Sequence, residues 1–424
     1  MDTAMSLILL ALSPFLFANR PTVVLPPRGP RHAREVVRYA QPLHITSGGT
    51  YSGNWESLTP SVAAVWITTS EPVVIENCRI RSAGDAIQSY NANANVTVRN
   101  CVAEAISPST SEARKGYFVG VGNFESIVVE HNLVSGYFQG VKASNTLETC
   151  DTMHNQTVTV RYNVIRNVDG RLSDGNGGFL TTRPPDFISR NGGADAFALY
   201  CVRDAEVEIS WNQVTNEVGA SWPEDLTSTA ESRGLSDQPI AIHDNYLQGD
   251  IPPDPAAGAP FSGCGIQIGD SPSKSDVGYV HVYNNQIVSF YSCGLSISSG
   301  HDNEVDGNRV ISAGRLPEGT ALNTPYKVGL LMNDYYWDPT FENMPILDPY
   351  WFGNTVHDNE ANAVFPDSSP APNVFIHLGG TVAAFGNTDP LGHPATTADE
   401  AAELARWLVK LETAGVSLGP NVRP

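Results

Sequence analysis

Carboxylate side chains recur at the ends of apolar runs in the second half of the sequence. Asp270 follows the run 265–269, Asp334 follows the run 329–333, and Asp302 lies in the turn after a third run of the same kind. Two carboxyl groups about 5 to 9.5 Å apart can hydrolyse a glycosidic bond, one as general acid and the other as nucleophile or general base. These aspartates therefore indicate glycoside hydrolysis, provided that the fold stacks the runs side by side.

A sequence repeat supplies that stacking. The pattern apolar–x–apolar–x–x–Asn recurs along most of the chain, and cysteine fills the asparagine slot at Cys78 and Cys101, which are 23 residues apart. No two successive slots are closer than these, and the longer spacings come from insertions, which is typical of a solenoid. The slot asparagines are Asn132, Asn163, Asn212, Asn245, Asn285, Asn308, Asn359 and Asn387.

The strand chemistry defines the kind of solenoid. Alternating Val and Ile with short polar residues predicts strands, and the shortest repeat leaves room for about three strands and their turns without a helix. Parallel coils stack at about 4.8 Å, so carboxylates one coil apart would be about 5 Å from each other and carboxylates two coils apart about 9.6 Å. These distances are close to the separations used for retaining and inverting hydrolysis. We predict an all-β chain, a parallel β-helix of about ten coils whose asparagines form a hydrogen-bonded ladder.

Charge restricts the partners of the chain. The formal net charge is −20, which argues against a nucleic-acid partner. It also disfavours a polyanionic polysaccharide, unless a metal ion or a local basic patch intervenes. The oligomeric state is left open by the sequence.

The six cysteines pair by register. Cys78 and Cys101 occupy the same slot in neighbouring coils, and Cys264 and Cys293 each precede a run that begins with glycine. Stacked coils bring such positions about 5 Å apart, within disulfide range. The two remaining cysteines, Cys150 and Cys201, both lie in the turn before a ladder strand. We therefore predict disulfides and an oxidising compartment.

The ends of the chain are predicted to lie outside the solenoid. Residues 1–18 contain an apolar run too short to span a membrane and suited to a signal peptide, so we predict secretion. Residues 19–42 form a connector and N-terminal cap, and the β-helix covers 43–390. Residues 391–424 hold a capping helix and tail. That helix is predicted to begin with a capping box at 397–400 and to end near Gly415, and its apolar face comprises Leu404, Trp407, Leu408 and Leu411.

Insertions indicate where a substrate would lie. Most of them follow the ladder asparagine and precede the next strand that begins with glycine, which we term a Gly-led strand. Because they share this position, they should project from one side of the rod and wall a groove beside the Gly-led strands. A second kind of insert, 334–352, is rich in aromatic residues, which suit stacking against sugar rings. The inserts of the first kind cover 107–115, 170–193, 219–237, 250–262 and 314–327.

Repeat, ladder and insert position together resemble the right-handed parallel β-helix proteins of the pectate-lyase-like superfamily, over about residues 43–390. The resemblance implies a polysaccharide or oligosaccharide substrate lying along one strand face between long turns. The polygalacturonase-type motif set is not matched, since its N-T-D string occurs only as Asn387-Thr388-Asp389, beyond the middle of the groove.

A substrate in the groove would meet the side chains that point outward from the Gly-led strands and those in the turns just after these strands. These residues form the candidate site. Hydrolysis by the groove carboxylates is the favoured hypothesis. A polysaccharide lyase or uronate epimerase is the alternative, with Lys142, Tyr200 or His301 as base and Ca²⁺ held by the aspartates. A non-catalytic carbohydrate-binding solenoid is the third. Candidate catalytic residues are Asp270, Asp302, Asp334, Asp195, Lys142 and His301; candidate substrate-binding residues are Gln88, Tyr200, Gln267, Asn333, Tyr335, Tyr336, Trp337 and Trp351.

Overall fold

A computed structural model describes residues 37–146, 148–180, 193–258, 263–269, 276–334, 349–376 and 382–421. The predicted signal peptide, most of the predicted connector, and the predicted site residues Asp270, Tyr335, Tyr336 and Trp337 lie outside these ranges. They stay predictions.

The described strands, from Leu43–Ile45 to Val382–Phe385, wind as a right-handed parallel β-helix, as predicted. Its strands form a 20-stranded and a 10-stranded sheet, and all of their pairings are parallel. The larger sheet comprises two stacks, because the strands Ile87–Arg99 and Tyr117–Glu130 are long enough to run through both. Each coil therefore contributes to three faces.

The first face is the Gly-led sheet. Besides the first parts of the two long strands it contains Leu43–Ile45, Val65–Ile67, Gln139–Ser144, Phe197–Tyr200, Thr227–Ala230, Cys264–Ile268, Cys293–Ile297, Val328–Met332 and Val374–Ile376. The second face is the ladder sheet. Besides the second parts of the long strands it contains Gly49–Tyr51, Val73–Glu76, Thr157–Arg161, Glu206–Ser210, Ile240–His243, Val280–Tyr283, Glu304–Asp306, Asn354–His357 and Val382–Phe385.

The third sheet closes each coil. It contains Asn54–Ser57, Arg79–Ser82, Val102–Ala105, Leu133–Ser135, Val164–Arg166, Gln213–Thr215, Tyr246–Asp250, Gln286–Phe290, Arg309–Ser312 and Glu360–Ala363. Buried Val, Ile, Leu and Phe side chains from all three sheets fill the interior as one continuous core. Each such side chain contributes roughly 1.5–3 kcal/mol when fully buried, so the core is the main source of stability.

The predicted asparagine ladder is confirmed over all eight slots. The side-chain amide of Asn132 donates to the side-chain oxygen of Asn163 at 2.9 Å, and every later pair down to Asn387 repeats the bond at 2.9 or 3.0 Å. The residue before a slot has left-handed backbone, as at Tyr162 (φ 61°) and Trp211 (φ 53°). The ladder thus holds the turn between the ladder sheet and the third sheet in one register.

The predicted cysteine pairings are present. Cys78–Cys101 and Cys264–Cys293 are disulfides with Cα atoms 4.6 Å apart, and Cys150–Cys201 is a third, at 5.0 Å. Three disulfides fit a protein that folds outside the cytoplasm.

The C-terminal helix, Thr397–Ala414, packs on the third sheet at Gln286–Phe290 and Arg309–Ser312. Trp407 is fully buried, and its indole N–H donates to the carbonyl oxygen of Asp244 at 2.9 Å. The helix ends at Gly415 in left-handed conformation, as predicted.

Two details of the helix differ from prediction. The N-cap is Thr396, whose side chain accepts from the backbone N–H of Asp399, so the capping box begins one residue earlier. Leu408 is 47% exposed, because Leu404, Trp407 and Leu411 already occupy the face that meets the sheet.

Candidate functional site

Neighbouring inserts stack into a wall, as predicted. The backbone N–H of Glu112 donates to the carbonyl of Ser173, and the N–H of Ser173 donates to the carbonyl of Ala113, both at 2.8 Å. These bonds join the first insert to the second. Arg171 extends the contact to the third predicted insert by donating to the carbonyl of Ala220 at 2.8 Å. The predicted range of that insert, 219–237, is wrong, because it contains the strand Thr227–Ala230 of the Gly-led sheet. The wall flanks the Gly-led sheet along one side.

Three neighbouring strands in the C-terminal half of the Gly-led sheet are sealed, whereas the last strand, Val374–Ile376, is largely exposed. Every residue of Cys264–Ile268, Cys293–Ile297 and Val328–Met332 is buried. Gln267 is 6% exposed, and its amide donates to the hydroxyl of Ser298 at 2.6 Å. The prediction that Gln267 faces an open groove is therefore wrong, because the outer face is covered there as well as the inner one.

The N-terminal half of the same sheet is open. Trp66, Gln88, Gly120 and Lys142 lie side by side in register on its outer face. Trp66 is 47% exposed and stacks on His44, with ring centroids 4.4 Å apart. Because Gln88 and Lys142 are only half-buried, this row remains accessible; we call it the open groove.

Two tyrosines converge on the floor of the open groove. A Cβ atom at Gly120 would lie 2.9 Å from the hydroxyl oxygen of Tyr90 and 2.8 Å from a ring carbon of Tyr117. Glycine is therefore required at this position for both rings to approach the floor. The Lys142 ammonium lies 5.3 Å from the Tyr117 ring centroid, close enough for a cation–π contact.

Charged groups surround these tyrosines. Asp85 accepts the backbone N–H of Tyr117 at 2.8 Å, and burial raises the pKa of the Asp85 carboxyl, although Arg114 and Lys142 oppose the shift. Burial and the nearby Asp85 raise the pKa of Tyr90, so its hydroxyl keeps its proton at neutral pH. Arg114 is exposed and lies over the Phe138 ring at 4.3 Å. The groove thus combines two cations, two phenols and one carboxyl group of raised pKa.

Several predicted site residues lie away from this groove. Asp195 is 3% exposed, and one of its oxygens accepts from the amide of Gln139 at 3.2 Å. Asp334 is 1% exposed, at the end of a strand that is buried on both faces. Trp351 belongs to the hydrophobic core. The predicted groove-facing placement is wrong for all three residues, because the coils or inserts beside them close over the side chains.

His301 and Asp302 form a pair at the turn before the ladder sheet. His301 is 5% exposed, and its two ring nitrogens lie 2.7 Å from Asp276 and 2.9 Å from Asp302. Its ring stacks on that of Phe352 at 4.8 Å. Asp302 itself is exposed. The structure therefore joins these two predicted residues, but away from Lys142.

Two further predicted residues are half-buried. Tyr200 lies in register with Ser144 at the edge of the open groove, and burial raises the pKa of its hydroxyl. Asn333 follows the sealed strand Val328–Met332.

The ladder sheet carries a second polar face that the sequence analysis missed. Histidine and carboxylate side chains alternate along its outer side in the C-terminal half. A cavity of about 300 Å³ opens beside them. The face comprises Glu208, His243, His281, Glu304, Asp306 and His357; the cavity is lined by Ser236, Pro239, Tyr279, Val280, His281, Asp302 and Glu304.

Comparison with known proteins gives only distant matches. No protein-family model and no curated protein matches the chain. The crystal structure of the periplasmic alginate epimerase AlgG aligns with a TM-score of 0.35 at 10% identity, over 82% of this chain and 86% of that chain. An aspartate-to-alanine mutant of the same enzyme aligns over the same shares, with a TM-score of 0.35 at 8% identity. Residues of this chain must therefore carry any functional proposal.

Signals for the missed residues were present in the sequence. Alternation continued two residues past Gln88 reaches Tyr90, which the sequence analysis left out. On the ladder strands, the positions four and two residues before each slot asparagine point outward, and they align His281 with Glu304 and Tyr283 with Asp306. Outward positions were predicted for the Gly-led strands alone.

No helix within the described ranges is long and apolar enough to cross a membrane.

Proposed function

We propose that this chain is a secreted polysaccharide-modifying enzyme that abstracts the proton at C5 of a uronate residue, as a lyase or an epimerase. The observation that supports it is the convergence of Tyr90, Tyr117 and Lys142 over Gly120 in the open groove. The proton at C5 lies α to the sugar carboxylate, and removing it requires a base and a positive charge that offsets the charge building on that carboxylate.

Each groove residue has a role in this proposal. Arg114 binds the uronate carboxylate and stabilises the enolate formed when C5 is deprotonated. Lys142 is the general base that accepts the C5 proton. Tyr90 keeps its own proton at neutral pH, because its pKa is raised, and acts as the acid.

The fate of the electron pair separates the two activities. In a lyase, the pair left at C5 forms the C4–C5 double bond, the C4–O bond breaks, and Tyr90 protonates the departing oxygen. In an epimerase, the C4–O bond stays intact and Tyr90 returns a proton to C5 from the opposite face. Both outcomes balance without an oxidant or a further reactant.

A positive charge in the groove can bind a polyanionic polysaccharide even though the net negative charge of the chain disfavours one. A net charge of −20 repels a polyanion at long range, but the Arg114 guanidinium acts electrostatically on Asp85 in the groove. Salt screens interactions beyond about 8 to 10 Å, so this nearby cation outweighs the distant carboxylates at the site.

Glycoside hydrolysis, the favoured hypothesis from the sequence, has less support. Of its predicted carboxylates, Asp195 and Asp334 are buried, and Asp302 lies 2.9 Å from His301. Asp270 lies outside the described residues and stays a prediction. Among the described residues of the open groove, Asp85 is a single carboxyl group, and hydrolysis requires two.

The test is to incubate the purified protein with a panel of uronate polysaccharides in D₂O. Deuterium at C5, measured by mass spectrometry of the sugars, reports the epimerase, because only that activity returns a hydrogen to C5. Ultraviolet absorbance of unsaturated ends identifies a lyase, and C5 inversion seen by NMR without cleavage identifies an epimerase. New reducing ends without deuterium or absorbance would overturn the proposal in favour of a hydrolase. Binding without any reaction would overturn it in favour of the carbohydrate-binding alternative.

A further inference from the structure

We propose that His281, Glu304 and Asp306, on the ladder sheet, form a binding site for a divalent first-row transition-metal ion. The site lies on a different face from the open groove, so this proposal stands apart from the proposed function.

Strand register brings the three side chains together. His281 lies opposite Glu304 and Tyr283 lies opposite Asp306, on the neighbouring strands Val280–Tyr283 and Glu304–Asp306. The Nε2 atom of His281 is 2.5 Å from Oδ1 of Asp306 and 3.9 Å from Oε2 of Glu304. One ligand atom from each residue lies within 4.8 Å of the other two.

These separations suit a bound ion. Metal–ligand bonds of about 2.0–2.2 Å place neighbouring donor atoms roughly 3 to 4 Å apart. Small side-chain rotations reach that range from the observed positions, since the strands already fix the three Cα atoms. The ring of Tyr283 packs against that of His281, with centroids 4.4 Å apart, and limits how far the imidazole turns.

A neighbouring histidine orients the glutamate. Nε2 of His357 lies 3.0 Å from Oε1 of Glu304, which leaves Oε2 directed to the His281 side. Hydrogen bonds of this kind around a metal site fix the ligand orientation, and their loss typically weakens binding 10- to 100-fold.

The cavity of about 300 Å³ is an independent observation at the same place. His281 and Glu304 both line it, together with Tyr279 and Asp302. Three protein ligands beside an open space leave coordination positions for water or a small ligand, unlike the four protein ligands of closed structural zinc sites.

The donor set favours particular ions. One imidazole nitrogen with two carboxylate oxygens suits Zn²⁺ or Mn²⁺, and among these a given site generally binds Zn²⁺ more tightly. Ca²⁺ prefers six to eight oxygen ligands, so the Ca²⁺ considered from the sequence is disfavoured at this site.

The experiment is isothermal titration calorimetry on the tag-free, chelator-treated protein, with Zn²⁺, Mn²⁺ and Ca²⁺ in turn. We expect one Zn²⁺ per chain, weaker Mn²⁺ binding and no Ca²⁺ binding here. His281→Ala and Asp306→Asn should each weaken Zn²⁺ binding about 100-fold or more, while circular dichroism stays unchanged.

The matched control is His243→Ala. His243 lies on the same face between two carboxylates, but its Nδ1 faces Asp244 at 2.7 Å and its Nε2 faces Glu208 at 3.5 Å, so no three donor atoms converge there. The variant should bind Zn²⁺ like the wild type. The proposal is overturned if the wild type binds no Zn²⁺, or if His243→Ala weakens binding as much as His281→Ala does.

Discussion

Two lysines on the Gly-led side of the solenoid show how differently its halves are built. Lys142 is half-buried on the open groove, beside the Tyr117 ring. Lys327, just before the sealed strand Val328–Met332, is 2% exposed, and its ammonium donates to the carbonyls of Phe290 and Ala313 at 3.0 and 3.1 Å. Burial lowers the pKa of Lys327 to about 7. The same residue type is available to a substrate in one half and serves packing in the other.

The contacts above the sheet differ between the halves. In the open half, Gly120 has no side chain, and the rings of Tyr90 and Tyr117 lie above it. In the sealed half, the Gln267 amide donates to the hydroxyl of Ser298, and Leu331 packs with Val328 and the Cys264–Cys293 disulfide. The outward side chains of the sealed half are thus buried by contacts within the protein and are not available to a substrate.

The largest predicted effect tests the open half directly. Lys142→Ala should lower turnover by about 10²-fold or more, because a general base typically contributes at least that much. The fold should be retained, since a half-exposed position seldom contributes more than about 0.5 kcal/mol. Initial rates of C5 deuterium incorporation, for an epimerase, or of the rise in ultraviolet absorbance, for a lyase, measure the change.

Ser296→Ala is the matched variant from the sealed half, because Ser296 occupies the same outward row, next to Gln267 and Leu331. It should leave turnover within twofold of the wild type. Equal losses in the two variants would show that the halves do not differ in function.

The fold was predictable because its determinants are local and repeated. Each slot asparagine, such as Asn245, sits at a fixed offset from a strand, so stacking alone implied the ladder and the cysteine pairs. Burial of the site residues was not predictable in the same way. Asp195 and Asp334 look like exposed turn residues in sequence, and only the packing of neighbouring coils and inserts, which are remote in sequence, buries them.

A second prediction concerns the sealed half and pH. Burial raises the pKa of Glu400, on the C-terminal helix, to about 7 from 4.5. The folded state therefore binds this proton more tightly than the unfolded state. The stabilisation of the folded state by this bound proton is fully present below pH 4.5, and it is lost as the pH rises through 7. Lys327, with its lowered pKa, changes stability only above about pH 7.

Glu400→Gln removes the titration. Between pH 4.5 and 7 the free energy of unfolding of the wild type should fall by roughly 2 to 3 kcal/mol relative to the variant. Urea denaturation at several pH values measures this difference. Parallel pH profiles for the two proteins would show that Glu400 is not held in a buried environment.

The smallest predicted effect lies at the far end of the open groove. Trp66 is three strands from Lys142 along the same row, roughly 14 Å away at about 4.8 Å per coil. Its exposed ring suits stacking on a sugar, which is worth about 1 kcal/mol. Trp66→Ala should therefore raise KM about fivefold on long substrates and leave kcat unchanged, because the chemistry occurs elsewhere. Phe375→Ala, at the opposite end of the row beside Leu331, should change neither constant. If Trp66→Ala instead lowered kcat and left KM unchanged, Trp66 would act on the reacting sugar, and the position of the catalytic centre in the groove would have to be moved towards the first coils.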